Sequence, residues 1–381
     1  MATFVTPSEP SVDTIAAAAA EVDGTGHFPA EAIEALAGDG LLALAVPPAW
    51  GGAGGGPRDV VDAVERVAAA CASAAMVFVM HLVATKTLAA GTTADEPDGP
   101  RHDVLRAIAA GTHLTTLAYS ERGSRGHFWA QVSRAQAEGD AIVIDADKSF
   151  ATSAGRADSY VVATGAVGAD DPLVTELYLV AADTPGLTVA GQFDGLGMRG
   201  NASAPLLLRG ARVPASHRLG APAAGLGLML EVTLPWFVLG SAACSVGIAG
   251  AALEAGIAHA TQGRFEHLGT VLADVPGVRA RLAQAAIRHR ESRALLREVA
   301  QQVADGAPEA QAGVLALKSA AAGMAEEVTE LCLRVGGGAA YAKHGPLERH
   351  FRDARAAALM APSTDLLHDF LGKALCGQEL F

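Results

Sequence analysis

Cysteine, aromatic residues and positive charge are all scarce in this chain. Only four cysteines occur in 381 residues, Cys71, Cys244, Cys332 and Cys376, far apart and with no CxxC pair. No Cys/His spacing suits zinc either, so no metal site is expected, and buried free thiols in a reducing cytoplasm are. Phe, Trp and Tyr together make up 5% of the residues, so the bulk must come from Ala, Leu and Val helices packed closely. Lys and Arg number 28 against 41 Asp and Glu, a net charge of -13. That balance argues against a nucleic-acid backbone or an anionic membrane surface as main partner, but not against an anionic small molecule, for which a few local arginines suffice. No basic stretch followed by an apolar core opens the chain, so secretion is not expected. GxSxG, Walker A and HExxH motifs are missing, and the glycine-rich stretch near Gly52 follows no strand and opens no βαβ unit. The longest apolar run, Leu234 to Ala258, contains Trp236, Gly240, Gly247 and Glu254. It reads as a buried helix and not as a membrane span.

Half of the residues are hydrophobic, ample for burial, and the length exceeds what one core usually organises. The periodicity divides the chain into an α+β arrangement of three parts. Residues 1–113 form a helical N-terminal domain, broken by Pro47, Pro48 and the glycines that follow Trp50. A charged loop is expected from Ala94 to Arg101. Residues 114–222 alternate in strand fashion, with runs at Ala141–Lys148, Ser159–Ala163, Val174–Ala181 and Pro205–Val213, and predict a small, mostly antiparallel β-barrel or sandwich-like domain. Residues 223–381 return to helical periodicity, with long segments at Leu226–Gln262, Asp274–Asp305 and Glu309–Val335, a glycine break at Gly336–Gly338 and a final helix from about Arg349. This predicts a four-helix bundle.

Several short patterns carry possible chemistry. Leu117-Ala118-Tyr119-Ser120-Glu121-Arg122-Gly123-Ser124 is an extended run entering a glycine turn. It either offers N–H and O–H donors to a flat heteroaromatic ring or is capped by its serines. Lys148 to Gly155 places Phe150 two residues before Thr152 at a strand end, so the aromatic either covers a ring face or belongs to the core. Arg199, in Leu196-Gly197-Met198-Arg199-Gly200, is either solvated or set near an acidic partner. Gly336-Gly337-Gly338 beside Tyr341 allows either close backbone approach or a helix C-cap. Glu348 to Arg355 reads most simply as an ion-pair-laced surface. His81 lies inside an apolar helix, where a neutral imidazole with a backbone partner is the plain reading.

Taken in order, these motifs resemble the acyl-CoA dehydrogenase superfamily of flavoproteins. Trp50-Gly51-Gly52-Ala53-Gly54, Tyr119-Ser120-Glu121-Arg122-Gly123, Lys148 to Asp158, Leu196 to Gly200, Gly337 to Tyr341, Pro346 to Arg349 and Arg352-Asp353-Ala354-Arg355 all follow its pattern, over almost the whole chain. The resemblance implies FAD bound between the β domain and the C-terminal bundle. Leu117, Tyr119 and Ser120 would line the pyrimidine side of the ring, and Phe150 and Thr152 would sit against it. Arg264 and Phe265 fall close to the segment that reaches a neighbouring subunit's FAD, although in strict register Gly263 takes the Arg place. Gly337, Gly338, Ser363 and Asp365 would approach the adenosine-diphosphate end. Sharing of the cofactor implies a homodimer or, more typically, a homotetramer.

The departure is sharpest at the chemistry. The base of α,β-dehydrogenation of an acyl thioester falls at Ala361 in one register and at Phe237 in the other, and neither accepts a proton. Acyl-thioester dehydrogenation, on CoA or a carrier protein and with a flavoprotein electron acceptor, remains the leading expectation. Asp365 is then the foremost rescue base, with Glu121 and Glu231 as others. The stretch from Ala354 to Gly377 is also similar to the superfamily's flavin monooxygenases, which are fed by a separate flavin reductase. There, His81 and Ser120 are the candidates to steady the reacting oxygen. A catalytically inactive flavin-binding scaffold is the third reading.

Overall fold

The protein was analysed as a computed structural model that describes residues 6–93, 98–343 and 345–379. Part of the charged loop expected at Ala94–Arg101 therefore lies outside the described residues. Ser8 caps the first helix, its Oγ accepting from the Ser11 N–H at 3.3 Å, and α1 runs over Glu9–Thr25. The helix α2 (Ala30–Gly38) and two single turns, Leu41–Ala43 and Pro48–Trp50, lead to α3 (Pro57–Ala70). Cys71 takes an extended conformation and divides the long apolar stretch, so that α4 (Ala72–Ala90) starts afresh. A short α5 (Pro100–Ala109) closes the helical layer.

Seven strands follow: β1 (Thr115–Ala118), β2 (Arg134–Glu138), β3 (Ala141–Ala151), β4 (Ser159–Gly165), β5 (Thr175–Ala181), β6 (Leu187–Val189) and β7 (Ala204–Pro214). They form one sheet in the order β1-β4-β2-β3-β7-β6, with β5 paired to β4. The β1–β4 and β2–β4 pairings are parallel and the others antiparallel. In β3 the alternation is plain: Ile144, Ala146 and Lys148 are buried while Asp145 and Asp147 are exposed. Register shifts interrupt its pairing with β7 after Ile144 and again after Lys148. The second irregularity bends the strand just where Phe150 turns outward.

The chain returns to helix with a single turn α6 (Gly225–Gly227), a π-helical segment (Leu228–Thr233) and α7 (Leu234–Gln262). A small hairpin of β8 (Arg264–Phe265) and β9 (Thr270–Val271) separates α7 from α8 (Pro276–Asp305) and α9 (Ala310–Ala340). The final helix expected from about Arg349 is instead three pieces, α10 (Pro346–Asp353), α11 (Ala356–Leu359) and α12 (Thr364–Leu375), broken at Ala354–Arg355 and again at the Met360–Ser363 turn. The helices α7, α8 and α9 pack pairwise, and α12 lies on α9. Two stretches, Ala72–Ala90 and Gly225–Gln262, are long and apolar enough to cross a membrane. Their apolar windows are 89% and 83% buried inside the protein, so these are helices of its core.

One junction ties the three layers together. Arg352 on α10 donates to both Asp23 oxygens on α1 (2.8 and 2.5 Å), to Glu348 (2.7 and 3.0 Å) and to the Leu196 carbonyl (3.1 Å). Those charge-assisted bonds raise its pKa. The expected surface ion-pair run from Glu348 is thus, at Arg352, a junction at the meeting of helix and sheet. The 196–200 turn lies so close to α10 that a Cβ on Gly197 would stand 2.5 Å from the Arg352 carbonyl oxygen. Beside it, Asp353 accepts from the Met198 N–H at 2.6 Å.

Candidate active site

The site begins with a buried ion pair. Lys148, on the inner face of β3, donates to Glu121 Oε1 (2.7 Å) and Gln131 Oε1 (2.9 Å), and also to the Ala163 carbonyl. Glu121 accepts further from the Val132 N–H (2.6 Å), the Ser133 N–H (3.0 Å) and the Ser133 hydroxyl. Burial would push the Glu121 carboxyl up, but the Lys148 ammonium and these donors outweigh it and hold the pKa low. Every acceptor direction of Glu121 is spent on structure. With the Ser149 N–H donating to the Ser120 carbonyl at 2.9 Å, the pair fixes the segment leaving β1 against the end of β3.

That junction forms the floor of a cavity of about 630 Å³. Leu117, Tyr119, Ser120, Phe150 and Thr152 all line it, five residues that sequence reasoning had placed around one flat ring. Phe150 is 64% exposed, an unusual state for a large aromatic beside a pocket. The Thr152 hydroxyl is within 3.0 Å of the Ser203 hydroxyl. Tyr119 is buried and its hydroxyl is used inside the wall. Thr87 donates to the Val83 carbonyl (2.9 Å) and so accepts from Thr233 (2.9 Å), which in turn accepts from Tyr119 (3.3 Å). Burial raises the Tyr119 pKa despite those bonds, so Tyr119 presents a ring and not a proton. Thr233 belongs to the π-helical segment, a backbone irregularity that often marks functional positions.

Both registers of the missing base border the same cavity. Phe237 closes one side from the first turn of α7, and Ala361 another from the turn after α11. Among the described lining residues the sole carboxylate is Glu121, which is bound as above. The rest of the wall is largely apolar, from Met76, Met80, Phe128, Phe193, Leu234 and Leu359.

The other candidates lie elsewhere. His81 is fully buried in α4: the Thr115 N–H donates to Nδ1 at 3.1 Å, which leaves Nε2 protonated and donating to the Leu42 carbonyl at 3.0 Å. Burial pushes its pKa down to about 4, so it is a neutral link between β1 and the first helical layer and does not line the cavity. Asp365, at the start of α12, is exposed and outside the cavity lining, as is Glu231 in the π-helical segment. Arg264 and Phe265 stand on the β8–β9 hairpin, and Gly337, Gly338 and Ser363 also lie apart from the cavity. Gly337 has φ +57 and ψ -145, a conformation that suits only glycine, and it kinks α9. Arg199 lies 3.8 Å from Asp194, and Arg355 sits over the Phe351 ring at 3.9 Å.

Sequence reasoning missed one residue that shapes the wall. Lys318, buried on α9, donates to the carbonyls of Ala357 (2.7 Å), Met360 (2.9 Å) and Pro362 (2.8 Å). It holds the turn carrying Met360 and Ala361 against the bundle, and burial lowers its pKa to about 7. A lone Lys amid Val314-Leu315-Ala316-Leu317 and Ala320-Ala321-Ala322 was the available signal.

Comparison with known proteins agrees with this geometry. Residues 11–97 match the family described as acyl-CoA dehydrogenase, N-terminal domain, and residues 224–376 match acyl-CoA dehydrogenase, C-terminal domain. The chain is similar to the probable acyl-CoA dehydrogenase YngJ of Bacillus subtilis, with 30% identity over 344 residues, 90% of this chain and 88% of that protein. It is also 30% identical over 339 residues to the mitochondrial short-chain specific acyl-CoA dehydrogenase of Homo sapiens, covering 88% and 80% of the two chains. A solved probable acyl-CoA dehydrogenase from Mycobacterium abscessus superposes with a TM-score of 0.88 at 25% identity, over 98% of this chain and 100% of that one.

Proposed function

Because the chain belongs to the acyl-CoA dehydrogenase family, and is therefore a flavin-dependent oxidoreductase, we propose that it oxidises an acyl thioester between its α and β carbons, using FAD. One observation carries the reading: the five residues expected at the flavin ring and both base registers, Phe237 and Ala361, border a single cavity. The fit to a flavin rests on the same place. Phe150 offers an open aromatic face, Ser120 has a hydroxyl with no protein hydrogen bond among the described residues, and Thr152 sets a second hydroxyl nearby. A volume near 630 Å³ is in the range of small-molecule and cofactor pockets. When bound, FAD supplies the acceptor for the hydride that leaves the β carbon.

The chain's own residues bind, orient and exclude water. Met76, Met80, Phe128, Phe193 and Leu234 take the acyl chain by burial of apolar surface. Ser120 and Thr152 hold the polar edge of the ring. Among the described lining residues no carboxylate is free to receive the α-proton, since Glu121 is consumed by Lys148 and the two base registers hold Phe237 and Ala361. Without a positioned acceptor for the α-proton, turnover is slower by about 10²–10⁴ than with one. An electron-transferring flavoprotein is the proposed electron acceptor. Arg264, Phe265, Gly337, Gly338, Ser363 and Asp365, apart from this cavity, would meet the cofactor of a second copy in a homo-oligomer.

The want of a free carboxylate among the described lining residues also favours a second reading, reductase-fed flavin monooxygenation of an amine, sulfide or phenol, which needs no α-proton base. Anaerobic mixing of the purified yellow protein with a panel of acyl-CoAs separates the two. Bleaching of the visible flavin band by a thioester supports dehydrogenation. No bleaching, together with reductase-dependent oxygen uptake on an amine or phenol, overturns it in favour of the second. A colourless protein that takes up no FAD leaves only an inactive scaffold.

A further inference from the structure

We infer that Arg122 and Arg125 make a phosphate-binding mouth to the cavity, holding the phosphate arm of the flavin or of the thioester's carrier. The inference rests on the flavin and thioester reading above. The protein as a whole is strongly acidic, at -13, yet the charged residues lining this cavity are Glu121, Arg122 and Arg125. Lys148 neutralises Glu121, which leaves two exposed positive charges in the lining; Arg122 also borders an adjoining hollow with Asp145, Asp147 and Arg209 but, among the described residues, forms no ion pair there. Neither arginine has a hydrogen-bond or ion-pair partner among the described residues, whereas Arg352, Arg288 and Arg297 are all paired.

The turn that carries them is anchored. Glu121 at its start is bonded to Lys148, Val132 and Ser133, the Ser124 hydroxyl donates to the Glu121 carbonyl (3.4 Å), and the His127 N–H donates to the Ser124 carbonyl (3.0 Å). Arg125 sits at φ +49, in the left-handed region, where glycine is favoured and a larger residue is strained. An arginine at that strained position keeps a side chain at the cavity mouth where Gly123 and Gly126 nearby have none. A guanidinium fork matches phosphate oxygens in a way that an ammonium does not, and two forks on one short turn suit a doubly charged phosphate or a diphosphate.

The test compares the wild type with the Arg122→Gln/Arg125→Gln variant in equilibrium binding. FAD is set against riboflavin, and butyryl-CoA against butyryl-pantetheine, with inorganic diphosphate as a probe of the mouth alone. Both arginines are exposed, and the melting temperature of the variant should match the wild type. The expected result is FAD binding weaker by about ten- to a hundredfold per lost charged contact with riboflavin unchanged, which assigns the phosphate to the flavin. The same loss on butyryl-CoA alone assigns it to the thioester carrier. Equal losses on the phosphate-free partners, or no loss on any phosphate compound, overturn the inference. If the wild type binds no flavin and no thioester, the function proposed above fails. Diphosphate binding that the double variant loses would still uphold the mouth, and diphosphate binding equal in both proteins would sink it.

Discussion

At the scale of single residues, the chemistry turns on what stands where a base would be. Ala361 lies on the cavity wall and carries no group that could take a proton. If the rest of the site is that of a thioester dehydrogenase, restoring a carboxylate there should restore the lost rate. Ala361→Glu should speed acyl-CoA-dependent bleaching of the flavin by about 10²–10⁴, as read by anaerobic stopped flow. Phe237→Glu is the matching trial in the other register. Equal rates in both variants and the parent would mean that proton removal is not what limits this enzyme. Lys148 poses a different question, because its ammonium and the Glu121 carboxylate are both almost fully buried. Removing one partner leaves an uncompensated charge in the interior. Lys148→Met should therefore cost about 3–5 kcal/mol in urea unfolding, and adding Glu121→Leu should recover much of that. A loss under 1 kcal/mol would show the pair to be solvated in a way its burial contradicts.

At the scale of elements, the cavity depends on turns held by buried groups more than on the helices and strands themselves. Lys318 spans from α9 to three carbonyls of the 357–362 turn. Lys318→Met removes all three bonds, and each buried carbonyl left without a donor costs about 1–3 kcal/mol. The variant should lose about 3 kcal/mol or more, and proteolysis should open the 357–362 turn first. Cleavage elsewhere, with stability unchanged, would refute that role. Such devices explain what could be read in advance. The strands β3, β4, β5 and β7 were legible because their β-branched and alternating residues match the pleat, while β2 buries only Ala135 and β6 buries none of its three residues. The cavity-lining residues were legible as motifs, since Tyr119, Phe150 and Thr152 sit within a few residues of a strand end. Lys318 and the Tyr119–Thr233–Thr87 chain were not, because their partners lie from 39 to 146 residues away, and only folding brings them together. The π-helical segment left no mark in the pattern either, since Leu228–Thr233 reads as ordinary helix.

At the scale of the whole molecule, three almost fully buried titratable groups with large shifts bear most on how stability should follow pH. Burial lowers His81 to about 4, and burial with the nearby Arg349 charge lowers His350 to about 3, both from an ordinary 6.5. Below pH 6.5 the unfolded chain therefore binds two protons that the folded one refuses, and each makes the protein less stable as pH falls. Asp353 runs the other way. Burial, offset by the Met198 N–H, raises it to about 6 from 3.8, so between those values the folded chain holds a proton the unfolded one lacks. This last group makes the protein more stable as pH falls. Near pH 5 these three give about one net proton taken up on unfolding, and His113, His289 and Glu121, all lowered, add to it, so stability should drop by at least about 1.4 kcal/mol per pH unit on acidification. Urea midpoints at pH 6, 5.5 and 5 measure that slope. His81→Gln keeps a donor for Leu42 and an acceptor for Thr115 but cannot titrate, and should make the slope shallower by about one proton. Asp353→Asn keeps an acceptor for the Met198 N–H and removes the opposing proton, so it should steepen the slope by about one proton. A parent protein whose stability is flat or rises toward pH 5 would mean that these imidazoles are not held neutral in the fold. If the two variants moved the slope in the same direction, the opposing roles assigned to His81 and Asp353 would be wrong.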